Sequence, residues 1–308
     1  MKRVFALVAF LVLIGTSVHG QQLDPISQWA TIAANTYQVV PNIVYTKANG
    51  YDLKLDVITA KQRSPARPTI IFIHGGGWIL GAKEEDMVPL PYLAKGMNVV
   101  KVEYRLASVS LAPAAVEDCR CALRWVYYNA KEYGFDTTRL VVAGGSAGGH
   151  LALMTGMLDP TAGFDNACAY SFGHEPIKVA AIVNYFGITD VADLLEGPNR
   201  QDYAVVWLGS QPNRMELAKR LSPLNHVRSG LPPIITFHGD LDTEVPYQHG
   251  VRLHEALDRA GVPNQLVTIP GGGHGGWTRE QILKSQEAIF SFLEKYGILS
   301  RESQPADR

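Results

Sequence analysis

The chain has 308 residues, 46% hydrophobic and 19% charged, with a formal net charge of −1. That composition can bury one large core or two modest ones. It provides no basic field for nucleic acid, and no run of like charges marks a polyanion-binding tail.

Lys2 and Arg3 precede an uninterrupted apolar run from Val4 to Ile14, and small and polar residues follow to Gly20. This pattern reads as a secretory signal peptide cut after Gly20. The run is too short for a membrane anchor, which takes about 20 residues. The expectation is therefore a secreted or periplasmic protein without stable membrane association, folded as a single domain over residues 21–308.

Gln21 to Ala48 reads as a polar lead-in, and the alternation from Tyr51 to Val57 reads as an exposed antiparallel strand. Thr69 to Ile73 is continuously apolar, as in a strand buried on both faces. Val99 to Tyr104 is strand-like, and Val116, Cys119, Leu123 and Val126 share one helix face. Leu140 to Ala143 predicts a strand, followed by a helix from Ser146 to about Met157. Further strands are expected at Val179 to Tyr185, Pro233 to Phe237 and Gln265 to Ile269, with helices near Gln248 to Ala260 and Glu280 to Tyr296. Strands alternating with helices imply a mostly parallel, doubly wound sheet with helices on both faces. Asp159 to Pro176 reads as a long surface loop, and residues 188–223 read as a small insertion near the active site.

Three cysteines do not make a disulfide framework in a chain of this size. Cys119 and Cys121 point to different faces of a helix, so a bridge would run from Cys168 to either one, leaving an odd thiol. No C-x-x-C or paired-histidine spacing suggests a metal site, and no cofactor is called for.

The chemistry centres on Gly144-Gly145-Ser146-Ala147-Gly148, where an apolar strand runs into a helix. The G-x-S-x-G frame suits a sharp turn that lifts a serine hydroxyl clear of a sheet, with small neighbours where chains pass closely. A serine there sits at a helix N-terminus, which favours an oxyanion. Ser146 is the candidate nucleophile and needs a base and an orienting acid from later strand ends. His274, in the glycine-rich loop Gly271 to Gly276, is the candidate base; His74, His150 and His238 read as structural. Asp240, Asp242 and Glu244 all lie close enough to supply the acid, and Asp242 is the choice. Gly76 and Gly77, in the His74-Gly75-Gly76-Gly77-Trp78 loop, are assigned with Ala147 to an oxyanion hole. Trp78 and Tyr185 are candidate walls of the substrate pocket.

Taken together, these motifs resemble the HGGG esterases of the α/β-hydrolase fold, related to hormone-sensitive-lipase-type enzymes. The match is nearest to the secreted bacterial feruloyl-esterase-like and acetylxylan-esterase-like branch. It covers roughly Tyr45 to Leu299 and includes Glu103 to Leu106, Pro113 to Asp118, and His238 to Pro246. In that family the aspartate of H-G-x-x-D-x-x-V-P is the triad acid, which corresponds to Asp242. Tyr104-Arg105-Leu106-Ala107-Ser108-Val109 departs from the Y-R-L-A-P-E of the hormone-sensitive-lipase branch. The resemblance implies a carboxylester hydrolase acting on small-molecule or polysaccharide-linked esters, of acetyl, feruloyl or short-chain type. Alternatives are an arylformamidase, a prolyl-oligopeptidase-like peptidase, for whose propeller the chain has no room, and a non-catalytic hydrolase-fold binding protein.

Overall fold

The computed structural model describes residues 24–300 apart from 86–87, 166–167, 169–170 and 174–175. The expected signal peptide lies outside the described residues. Eight strands form one sheet in the order β1-β2-β4-β3-β5-β6-β7-β8. They are β1 (Tyr37–Ala48), β2 (Tyr51–Ala60), β3 (Arg67–Ile73), β4 (Asn98–Val102), β5 (Phe135–Gly145), β6 (Ala181–Tyr185), β7 (Ile234–Gly239) and β8 (Asn264–Ile269). β1 and β2 are antiparallel, β2 meets β4 antiparallel, and every pairing from β4 to β8 is parallel.

Side-chain alternation splits the core into two layers. Ile71, Ile73, Val100 and Val142 face α3 (Ala114–Tyr128) and α5 (Ala147–Met157), whereas Ile70, Phe72, Val99 and Val141 face the opposite side. That second side is covered by α2 (Leu90–Ala94) and α9 (Arg279–Lys295), through Tyr92, Leu93, Ile289 and Phe292. Strands covered on both faces explain the continuous apolar runs. α4 (Ala130–Tyr133) follows α3, and α8 (Gln248–Arg259) lies between β7 and β8. A capping box of Thr278 and Gln281 starts α9.

Three sequence expectations need revision. The lead-in forms a helix, α1 (Pro25–Thr36), capped by the Asp24 carboxylate, and then the edge strand β1. β2 is not exposed: Leu53, Leu55 and Val57 are fully buried, and the strand lies between β1 and β4. The stretch from Asp159 to Pro176 is held to α3. Asp165 is buried between Arg120 and Arg124, with carboxylate contacts of 2.7 and 2.6 Å, and Cys168 is bonded to Cys121. Cys119 is a free, buried thiol.

The segment between β6 and β7 carries the short helices α6 (Asp202–Leu208) and α7 (Arg214–Arg220). Among the described residues no helix is long and apolar enough to cross a membrane.

Removing the charge of Asp165 would strand two buried guanidinium groups. Asp165→Asn is expected to lower unfolding stability by about 3 kcal/mol or more, read as a shift in the urea midpoint at pH 7.

Candidate active site

The parallel strands end level with one another. Ile73 pairs with Gly144, Gly145 with Tyr185, Tyr185 with Phe237, and Gly239 with Ile269. The loops after β3, β5, β7 and β8 therefore open along one edge of the sheet, the usual place for a site in such folds.

Between β5 and α5, Ser146 takes φ 57° and ψ −123°, and its N–H donates to the Tyr185 carbonyl at 2.9 Å. A strained non-glycine residue at a strand-to-helix turn exposes its Oγ above the sheet. The turn needs its glycines. A Cβ on Gly148 would stand 2.1 Å from the Ile73 carbonyl oxygen, and one on Gly144 would stand 2.4 Å from the Gly148 carbonyl oxygen.

His274 Nε2 lies 2.8 Å from Ser146 Oγ, and His274 Nδ1 lies 2.8 Å from Asp242 Oδ2. With Nδ1–H donated to the carboxylate, Nε2 of the neutral imidazole is free to accept the serine proton. Asp242 Oδ1 accepts the N–H groups of Glu244 and Val245, both at 2.9 Å. Burial alone would raise the Asp242 pKa, but donation from His238, His274 and the Val245 N–H holds it well below the usual carboxylate range. Asp240 points elsewhere and accepts the Gly271 N–H at 2.7 Å, bracing the loop before His274. Of the three acids considered in the sequence, Asp242 is the one that meets His274.

Ala147 opens α5, so its N–H has no partner within the helix. Gly76 and Gly77 adopt positive φ, and the Gly76 carbonyl accepts the N–H groups of Ile79 and Leu80 to close the turn. No hydrogen bond among the described residues engages the N–H of Gly76, Gly77 or Ala147. Gly76, Gly77, Ser146 and His274 share a cavity of about 440 Å³ with Tyr203 and Glu244. The arrangement can move a proton off a serine hydroxyl and present N–H donors to an adjacent oxyanion.

Trp78 is not a pocket wall. It is fully buried, stacked on Trp207 at 4.1 Å between ring centroids, and its Nε1–H donates to His150 Nδ1. The reason is its backbone, which takes φ 61° and sends the side chain under the loop. His150 Nε2 in turn lies 2.7 Å from the Leu221 carbonyl, and burial lowers its pKa to about 4, so it is neutral at pH 7. His74 stacks on Tyr104, and His238 lies 2.9 Å from the Val245 carbonyl and 3.4 Å from Asp242.

Tyr185 lines a second cavity, of about 460 Å³, that shares Gly145 and Phe186 with the first. Sequence reasoning missed Phe186 and Tyr203. Phe186 directly follows β6, and Tyr203 is an aromatic residue in the segment between β6 and β7, so position relative to strand ends was the available signal.

A mostly parallel eight-stranded sheet, helices on both faces and a serine on the turn after β5 define the α/β-hydrolase fold. The sequence matches the BD-FAE family over residues 55–257, and the chain belongs to that family. It is similar to esterase LipQ of Mycobacterium tuberculosis, 27% identical over 83% of this chain and 65% of LipQ. Esterase 2 of Thermogutta terrifontis superposes with a TM-score of 0.71 at 30% identity, covering 88% of this chain and 96% of that one. The same esterase is known phosphorylated by paraoxon. A truncated carbohydrate esterase from gut microbiota superposes with a TM-score of 0.71 at 27% identity, covering 85% of this chain and 98% of that one. The chain spans 65% and 53% of the lengths of LipQ and the related esterase LipC.

Two outcomes follow from the charge states. Asp242→Asn reverses the hydrogen-bond preference at His274 Nδ1, so any ester hydrolysis measured with nitrophenyl acetate should fall about 10⁴-fold in kcat. His150 and His249 both have pKa values lowered by burial from 6.5 to about 4. The unfolded chain then binds more protons than the folded one between those values, so stability falls as pH drops from 6.5 toward 4. Urea midpoints at pH 7 and pH 4.5 check this, with the lower midpoint expected at pH 4.5.

Proposed function

We propose that the protein is a serine carboxylesterase working through an acyl-enzyme. The observation that carries this reading is the unbroken hydrogen-bond chain from Ser146 through His274 to Asp242, with 2.8 Å at each link. The esterase character of its relatives supports it. Ser146 Oγ attacks the ester carbonyl while His274 Nε2 takes its proton, and Asp242 stabilises the imidazolium that forms. The N–H groups of Gly76, Gly77 and Ala147 hold the oxyanion, each on the order of 3 kcal/mol of transition-state stabilisation. The tetrahedral species collapses, His274 returns the proton to the leaving alkoxide, and water activated by the same imidazole releases the acid.

On the alcohol side, Tyr203 and Glu244 give the cavity a polar wall suited to a hydroxyl-rich leaving group. This favours acetyl or feruloyl esters of plant-cell-wall sugars over simple alkyl esters, in keeping with a carbohydrate esterase among the structural relatives. The expected signal peptide would deliver the enzyme to polymer outside the cytoplasm.

Ser146→Ala should keep the wild-type circular dichroism spectrum and lose nearly all hydrolysis of nitrophenyl acetate. Paraoxon should add one phosphoryl group to the wild type, on the peptide containing Ser146, and none to the variant. Unimpaired turnover by Ser146→Ala would sink the assignment. Rates on acetylated xylan and nitrophenyl acetate, compared at equal ester concentration, test the polysaccharide preference.

A further inference from the structure

Apart from His274, the cavity at Ser146 has one charged side chain in its wall, the carboxylate of Glu244, and no lysine or arginine among the described residues that line it. The Glu244 backbone is held at both ends of the residue. Its N–H donates to Asp242 Oδ1 at 2.9 Å, and its carbonyl accepts the Tyr203 hydroxyl at 3.0 Å. Gln201 Nε2 adds a third tie, donating to the Thr243 carbonyl at 3.2 Å, so the loop after β7 is fastened to the residues at the start of α6. The carboxylate itself has no such role. It is exposed and makes no ion pair or hydrogen bond among the described residues. Arg200, beside Gln201, is engaged with Asp202 at 2.7 Å. Asp242, behind His274, adds charge of the same sign. A carboxylate carried on a fixed backbone, with no counter-ion in the wall of a reaction cavity, acts on the charge of whatever enters.

We propose that Glu244 sorts esters by the charge on the departing alcohol, favouring an amino or quaternary ammonium alcohol and turning away one that carries a carboxylate. The proposal rests on the serine-esterase reading, with the alcohol on the Glu244 side of the cavity, and adds to it a specificity-determining residue. Phe186 and Tyr203 line the same cavity, and aromatic faces attract the cation that the carboxylate attracts. A carboxylate also accepts hydrogen bonds from neutral hydroxyls. Esters of uncharged sugars therefore stand between the two extremes, and esters of acidic sugars fall at the disfavoured end. Because Glu244 is exposed, water and salt screen its charge, and the preference is one that ionic strength weakens.

The test uses three thioacetates whose thiol product is read by colour: acetylthiocholine, its uncharged dimethylbutyl analogue, and a carboxypropyl analogue bearing a carboxylate. Nitrophenyl acetate is the measure of esterase activity. Each ratio of kcat/KM is compared between the wild type and Glu244→Gln, which cancels the intrinsic reactivity of the esters. At low salt the cation-to-neutral ratio should be about tenfold higher in the wild type, the effect of one unit charge a few ångströms away at a solvated site. The difference should lie chiefly in KM. The anion-to-neutral ratio should be lower in the wild type than in the variant, and Glu244→Lys should invert both preferences. Raising the salt from about 0.01 M to about 1 M should bring the wild-type ratios toward those of Glu244→Gln. Ratios that are the same in the wild type and both variants overturn the charge selection, while nitrophenyl acetate turnover leaves the esterase reading standing. Absence of nitrophenyl acetate turnover in the wild type brings both down.

Discussion

The approach of one backbone to another sets the geometry of this molecule. The first turn of α5 lies against the end of β3 so closely that the Ile73 and His74 carbonyl oxygens occupy the space of a side chain on Gly148. That contact fixes the Ser146 turn beside the loop after β3, and hence the serine hydroxyl beside the glycine N–H groups. Level strand ends then bring the loops after β7 and β8 to the same place. A bulkier residue at Gly148 would push the helix off the sheet and separate the Ala147 N–H from those of Gly76 and Gly77.

Electrostatics around this frame are arranged by burial and by donors. Asp242 gains backbone N–H groups on one oxygen and imidazoles on the other, so it remains anionic although its side chain is removed from solvent. His150 is forced neutral, and its two ring nitrogens are used in opposite senses, accepting from Trp78 and donating to Leu221. Both arrangements fix the orientation of an imidazole, one at the serine and one beneath the loop that faces it.

Much of this was legible in the sequence because the responsible signals are local. A strand buried on both faces reads as a continuous apolar run, and a backbone passing close to another demands glycine, so the central strands and the positions of Ser146, His274 and the Gly76 and Gly77 loop could be read directly. The acid was narrower in choice than in proof, since Asp240 and Asp242 differ only in which neighbour each meets across the sheet edge. Trp78 is not a wall of the pocket: its place beside Gly76 and Gly77 says nothing about a side chain that is fully buried on a backbone of φ 61°. The stretch after Asp159 looked like a surface loop because the partners of Asp165 lie 41 and 45 residues away.

The same long-range contacts surround the Cys121–Cys168 disulfide. Arg120, Cys121 and Arg124 meet the segment that carries Asp165 and Cys168, and the two guanidinium groups grip that segment through Asp165. In the folded chain this ionic clasp and the Cys121–Cys168 bond tie the same two segments together, while Cys119 is buried elsewhere with its thiol held protonated by desolvation. The segment is thus fastened to the helix twice over, by charge and by a covalent bond, and a cut in the backbone between the two attachments would leave both pieces in place.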